Sequence, residues 1–86
     1  MLKICARTKK KDKILNTYIF ETDADYEISE FEHYVADICY NLDIPNPITL
    51  VKHIRNFMLF NHTTYTKDDF VEKIYFDRLE LVNETN

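Results

Sequence analysis

The sequence contains no glycine at all. Average usage predicts about six in a chain of this length. Every position that needs a positive φ must therefore be filled by asparagine, by aspartate or by a strained residue. The absence also excludes the glycine-rich loops that bind phosphate, of both the P-loop and the dinucleotide-binding kind.

Cysteine and long apolar runs are scarce as well. Cys5 and Cys39 are far apart, and two cysteines make no disulfide framework. No apolar run approaches the roughly 20 residues that span a bilayer, and residues 1–13 lack the apolar stretch of a signal peptide. These absences predict a cytoplasmic protein with reduced thiols and no membrane partner.

The residues that are present can build a core. Hydrophobic residues make up 45% of the chain against 30% charged, which is typical of globular rather than disordered proteins. A length of 86 residues leaves no room for a second core. The sequence therefore predicts a single domain over residues 1–86.

The first 22 residues are typical of a hairpin. Residues 2–8 alternate apolar and polar, and residues 13–22 are rich in β-branched and aromatic side chains. A polar turn separates them, in which Asp12 is expected to adopt the left-handed conformation. The hairpin is predicted over residues 2–22.

A first helix is predicted over residues 28–42. Ser29 and Glu32 have the spacing of a capping box at its start, and Asn41 is expected to end it in place of glycine. Its apolar residues, Cys39 among them, recur on one face, so Cys39 is expected in the core.

A second helix is predicted over residues 47–60, with Asn46 as its N-cap and Pro47 at its first position. Apolar side chains nearly encircle its C-terminal half. Such a helix is either central to the core or carries an apolar surface for a partner.

The C-terminal third is less decided. Residues 61–66 read as a turn with some strand character, and residues 70–82 as a strand with a bulge near Asp77. A short helix over residues 67–75 is the alternative. The resulting fold is α+β, in the order ββααβ: a three-stranded antiparallel sheet with two helices packed on one face. The strand order is left open.

Charge is strongly segregated along the chain. Residues 1–13 carry six basic side chains against one carboxylate, whereas residues 14–50 carry eight carboxylates and no lysine or arginine. The lysines of the turn, Lys9, Lys10 and Lys11, could contact phosphate. An exposed turn also uses lysines for solubility and to protect a sheet edge.

Further candidate binding residues lie on the two helices. Lys52, His53 and Arg55 give the second helix a basic patch, which is either a binding surface or its solvated side. Tyr34 and Tyr40 lie off the apolar stripe of the first helix, and exposed tyrosines are common interface anchors.

No residue pattern indicates a metal, a cofactor or catalysis. The histidines and cysteines lack the spacing of metal ligands. Asp68 and Asp69 lie near His62 in sequence and could act as acid and base, but adjacent carboxylates at the start of an element are usually caps. We therefore predict no metal site, no cofactor and no enzymatic activity.

One further pattern spans the second half of the chain. It comprises Pro45-x-Pro47-x2-Leu50-x-Lys52-His53-x-Arg55-x-Phe57-x2-Phe60, then Asp69-Phe70-x-Glu72, then Phe76-Asp77-Arg78-Leu79-Glu80-Leu81. It resembles a family of small uncharacterised bacterial proteins with a C-terminal Phe-Asp-Arg-Leu-Glu-hydrophobic strand. The resemblance implies a bacterial or mobile-element source and no particular activity.

The sequence thus predicts a non-catalytic accessory protein that acts by protein–protein interaction, either with itself as a homodimer or with another protein. Nucleic-acid binding through the basic N-terminal hairpin is the alternative.

Overall fold

The computed structural model describes residues 1–85. Two long strands, β1 (Leu2–Lys10) and β2 (Lys13–Thr22), form the N-terminal hairpin. Two helices follow, α1 (Phe31–Leu42) and α2 (Val51–Phe60). Two further strands, β3 (His62–Thr66) and β4 (Arg78–Asn83), complete the described chain. The fold is α+β, as predicted, but its sheet has four strands rather than three.

The hairpin closes through the two residues Lys11 and Asp12. Lys11, not Asp12 as predicted, has the positive φ, at 56°. Its N–H donates to the Asp77 carboxylate over 2.6 Å, and this bond compensates for the less favourable backbone conformation. A register shift between Thr8 and Lys9 marks the bulge of this strand pair.

The start of α1 and the residue that caps its end differ from the prediction, whereas its last residue, Leu42, agrees with it. Ser29 lies inside a 3-10 turn, Ile28–Glu30, and no side chain caps α1. The capping box is therefore wrong, because the chain already turns at the serine. Asp43, at φ 56°, ends the helix in place of the predicted Asn41.

The second helix is shorter than predicted, because residues 47–50 form no regular structure and the backbone of Leu50 is extended. The N–H of Ile48 donates to the carbonyl of Asp69 over 2.7 Å, which ties this segment to a distant part of the chain. The helix begins after Leu50, and Asn46 and Pro47 do not cap it. Asn61, at φ 61°, ends α2 in the role that glycine usually has.

The C-terminal third contains the fourth strand. Residues 61–66, predicted as a turn with some strand character, contain β3, which pairs with β4. The predicted strand over residues 70–82 is regular only from Arg78, and a 3-10 turn, Lys67–Asp69, is all that forms of the alternative helix. The phase change near Asp77 is therefore the start of the strand and not a bulge.

The sheet has the order β2-β1-β4-β3, and every neighbouring pair is antiparallel. Both helices cover one face, with α1 over the β2 side and α2 over the β3 side. Alternate strand residues such as Ile4, Ala6 and Leu81 pack beneath them. The opposite face, which we call the open face, carries Lys3, Cys5, Arg7 and Lys9 of β1. Within residues 1–85 no helix is long and apolar enough to cross a membrane.

Candidate interaction surfaces

A cluster of polar side chains lies buried between α2 and β3. His53, only 1% exposed, stacks on the ring of Tyr65 with centroids 4.2 Å apart. Its Nε2 lies 3.3 Å from the Asp69 carboxylate, which also accepts the N–H of Thr66 over 2.9 Å. The Tyr65 hydroxyl contacts the hydroxyl of Thr49 at 2.9 Å. We call these residues the internal polar cluster.

The hydrogen bonds of His53 define its tautomer. Its Nδ1 accepts the N–H of Leu50 over 2.9 Å, so the ring proton is on Nε2 and points to Asp69. Burial lowers the pKa of His53, and the neighbouring Lys52 acts in the same direction, while Asp69 partly opposes the shift. The imidazole is therefore neutral at pH 7, and both of its nitrogens have partners within the chain.

This geometry is that of a structural cluster. A general base must reach a proton on a substrate, and His53 offers no free nitrogen and almost no surface. Asp69 caps the turn after β3 and pairs with His53, and not with His62, its neighbour in sequence.

The two thiols have equally internal positions. Cys39 is in the core, as predicted, and burial raises its pKa to about 12, so it is a thiol at pH 7. Cys5 is buried on the open face between its register partners Ile19 and Val82. Among residues 1–85 no three His, Cys, Asp or Glu side chains are grouped to hold a metal ion.

The outward side of α2 carries an apolar groove of about 380 Å³. Val51 is 72% exposed, and Leu59 is 64% exposed. We call this surface the α2 groove, and its lining residues are Ile28, Val51, Ile54, Arg55, Met58 and Leu59. Positions 51, 54, 55 and 58 have the spacing of one helix face. Only His53 and Phe57 of α2 are buried.

The two sides of the groove can be distinguished. The Phe57 ring contacts Phe31 of α1, with centroids 5.4 Å apart, which identifies the side of α2 that faces α1. Each helical residue turns by about 100°. Ile54 therefore lies toward α1, and Lys52 lies on the opposite side of the groove.

These two sides carry opposite charges. Toward α1, Ile28 begins the 3-10 turn Ile28–Glu30, and the residue before this turn and its last residue, Glu27 and Glu30, have exposed side chains; the carboxylate of Glu30 also contacts His33 at 2.8 Å. On the other side lie the exposed cations Lys52 and Arg55. Within the described chain neither cation forms an ion pair. The groove is thus an apolar strip between an acidic and a basic border.

A second concave surface lies at the tip of the hairpin. It has a volume of about 400 Å³ and is lined by Lys10, Lys11, Asp12, Lys13 and Leu15. We call it the hairpin groove. Of the predicted lysines, Lys10 and Lys11 line it, whereas Lys9 points to the open face and pairs with Glu80 at 2.8 Å.

Of the candidate binding residues on the two helices, some are exposed and others are buried. Tyr40 is exposed, as predicted, at 84%. Tyr34 is buried, and its hydroxyl accepts the N–H of Glu27 over 3.0 Å, so the prediction of an exposed anchor there is wrong. Lys52 and Arg55 are exposed, but His53 faces inward, so the three residues do not form one basic patch.

Two features of these surfaces escaped the sequence analysis. Ile28 completes the α2 groove from outside the helix, and no periodicity links it to α2. The pairing of His53 with Asp69 joins residues 16 positions apart. One sequence feature indicates part of this arrangement. His53 lies three residues after Leu50, a spacing at which its ring can accept the Leu50 N–H at the start of the helix.

No protein-family model, no curated protein and no solved structure matches this chain. The resemblance noted in the second half of the sequence stays a prediction.

Proposed function

We propose that this protein is non-catalytic and acts by binding protein through the α2 groove, with a second copy of the chain as its partner. The observation that carries the proposal is the apolar outward face of α2. Contiguous exposed apolar side chains are typical of interaction sites on small proteins. Here they line a concave strip rather than standing singly.

The borders of the groove favour a second copy. A two-fold dimer uses the same patch twice, so the patch must complement itself. The α2 groove has one acidic border, with Glu27 and Glu30, and one basic border, with Lys52 and Arg55. A two-fold axis along α2 brings the acidic border of each copy against the basic border of the other. Such opposed charges favour and orient the association.

This argument also specifies the direction of the helices. An axis along α2 makes the two copies of α2 parallel, so that Val51 faces Val51 of the other copy. An axis across α2 would make them antiparallel and would place acidic border against acidic border. Like charges in contact disfavour that arrangement. The proposed dimer therefore has parallel α2 helices.

Sedimentation equilibrium over a wide concentration range tests the association. We expect a reversible dimer, and Val51→Gln should raise its Kd at least tenfold by placing an amide in the apolar strip. Val71→Gln is the matched control, because Val71 is 84% exposed but lies outside the α2 groove. A wild-type chain that stays monomeric throughout, or equal effects of the two variants, would contradict the proposal.

Cysteine cross-linking tests the direction. A disulfide needs Cα atoms within about 7 Å, and residues 51 and 58 are about 10 Å apart along α2. In the parallel dimer, Val51→Cys and Met58→Cys should each cross-link to the same position of the other copy. The native cysteines are buried and should not interfere. Cross-linking only between Cys at 51 and Cys at 58, in mixed samples, would show antiparallel packing instead.

A further inference from the structure

The end of the molecule that carries the hairpin groove is held in one conformation by Asp77, which precedes β4, and by Arg78, the first residue of β4. The N–H of Lys11 donates to Asp77 over 2.6 Å, and the guanidinium of Arg78 donates to the Lys11 carbonyl over 3.3 Å. The N–H of Asp77 donates in turn to the carbonyl of Lys9 over 2.8 Å. The lysines of the tip are therefore presented by a fixed backbone, which reduces the entropy lost on binding.

The positive charge continues from the tip along the open face. In register, Lys9 lies opposite Arg78, and Arg7 lies opposite Glu80. Glu80 is shared by Lys9, at 2.8 Å, and Arg78, at 2.9 Å. Although burial would raise the pKa of Glu80, the hydrogen bonds from these two cations lower it overall. Three cations thus surround one carboxylate, and within residues 1–85 Arg7 forms no ion pair.

This end of the molecule has an excess of positive charge. Seven cationic side chains gather there against four carboxylates. The cations are Arg7, Lys9, Lys10, Lys11, Lys13, Lys67 and Arg78, and the carboxylates are Asp12, Asp68, Asp77 and Glu80. The chain as a whole has a formal net charge of −4. The positive end is therefore a local feature that the total charge conceals.

We propose that the hairpin groove and the adjoining open face bind the phosphate backbone of a nucleic acid without sequence preference. The cations favour an extended polyanion over a single phosphate, since Lys3, Arg7 and Lys9 of β1 lie on one face along about 20 Å of strand, with Glu21 opposite Lys3 at the end away from the tip. Hydroxyls of Thr17 and Thr64 share this face and can donate to phosphate oxygens.

The residues of the open face also explain why we expect binding without preference for a nucleic-acid sequence. The open face has no phenylalanine or tyrosine among its strand residues, and its one aromatic ring, that of His62, lies at the end of β3 away from the hairpin tip, so bases have no continuous aromatic platform on which to stack. Contacts to phosphate alone position a nucleic acid but do not distinguish its bases. A strand of nucleic acid can follow the line of cations along β1, so we favour it over an anionic membrane, and the vesicle comparison below tests this choice.

Fluorescence anisotropy with a labelled 20-nucleotide single strand and a duplex of equal length tests the proposal. We expect a Kd of about 10 to 100 μM near physiological salt, in the range of non-specific binding. Four phosphate contacts on a duplex predict a slope of about −3.6 in log K against log salt. Arg7→Gln should reduce that slope by about 1.

Two double variants of equal net charge test whether the position of the cations, rather than the total charge of the protein, determines nucleic-acid binding. In the Val51→Gln background, where Lys52 no longer affects self-association, Lys10→Glu with Lys13→Glu, and Lys52→Glu with Lys73→Glu, each change the formal net charge from −4 to −8. The hairpin pair should weaken binding at least tenfold, and the control pair less than threefold. Equal losses for the two pairs, or no binding at 25 mM salt by a folded wild-type chain, would overturn the proposal. Tighter binding to anionic phospholipid vesicles than to nucleic acid would overturn it too.

This inference does not rest on the proposed dimer. The α2 groove lies on the helix side of the sheet, and the open face lies on the other side. Val51→Gln should therefore weaken self-association at least tenfold and leave the intrinsic affinity of each copy for nucleic acid unchanged. The experiments can therefore contradict one of the two proposals and leave the other standing.

Discussion

The two helices cover the same face of the sheet but are attached to it in different ways. α1 buries five side chains, namely Phe31, Tyr34, Val35, Ile38 and Cys39, and its opposite side is mainly polar. α2 buries only His53 and Phe57, and its opposite side is largely apolar. α1 is thus an ordinary amphipathic helix, whereas α2 has more apolar surface than the domain can cover.

This difference indicates which of the two helices can bind a partner. A helix whose apolar stripe is fully buried has no surface left to offer. α2 is held inward by the ring of Phe57, by the internal polar cluster and by the partly buried Ile54, so its exposed apolar residues contribute little to the fold of the single chain. Substitutions on the two sides of α2 should therefore have effects of very different size.

Phe57→Ala should cause the largest loss of stability. Phe57 is 1% exposed and packs against the rings of Tyr26 and Phe31. Its truncation removes about 3–5 kcal/mol from the free energy of unfolding. The adjacent Met58→Ala should change it by less than about 0.5 kcal/mol in dilute, monomeric protein. Urea unfolding measures both, and a large loss for Met58→Ala would mean that the groove supports the fold rather than a partner.

Asp69→Ala should follow in size. It leaves two donors without an acceptor, the Nε2–H of His53 and the N–H of Thr66, both in or beside the interior. Buried donors that lose a charged acceptor cost about 2–4 kcal/mol together. Asp68→Ala removes the neighbouring exposed carboxylate and serves as the control, with little expected effect. Similar unfolding curves for the two variants would show that the internal polar cluster does not anchor α2.

The contrast between the helices also explains which parts of the fold could be predicted. The hairpin and α1 follow from local patterns. Alternation of apolar and polar residues predicts a strand, and a single apolar stripe at helical spacing predicts a helix. The start of α2 depends on the bond from Ile48 to Asp69, which joins residues 21 positions apart. Strand β3 has only five residues and is defined by its pairing with β4. Non-local contacts of this kind leave no periodic trace in the sequence.

The candidate surfaces were predicted to a similar extent. The lysine-rich turn is visible in the sequence, but the contribution of Arg78 appears only when β4 is placed beside β1. The apolar excess of α2 was visible too. What the sequence could not show is which of its apolar residues face outward, because that depends on His53 facing inward in their place.

The pH dependence of stability tests the inward side of α2 further. Burial lowers the pKa of His53 below its value in the unfolded chain, near 6.5. The unfolded chain therefore binds the extra proton first, and stability is lost as pH falls below about 6.5. The loss from one proton is at most about 1.4 kcal/mol per pH unit. His53→Gln should remove this component, so its stability deficit relative to wild type should shrink between pH 7.5 and 5.

His62→Gln controls for the other effects of losing a histidine, because His62 is exposed. Its stability should run parallel to that of wild type over the same pH range. If His53→Gln also runs parallel to wild type, the neutral imidazole assigned to the internal polar cluster is wrong.

The smallest effect is expected on α1, where two tyrosines six residues apart have opposite roles. Tyr34→Phe removes the hydroxyl that accepts the Glu27 N–H over 3.0 Å and should cost about 1 kcal/mol of unfolding free energy. Tyr40→Phe removes a hydroxyl from a side chain that is 84% exposed and should cost nearly nothing. Because Glu27 lies beside Ile28, loosening this turn should also weaken the proposed dimer. A dimer of Tyr34→Phe as tight as wild type would place the acidic border outside the interface.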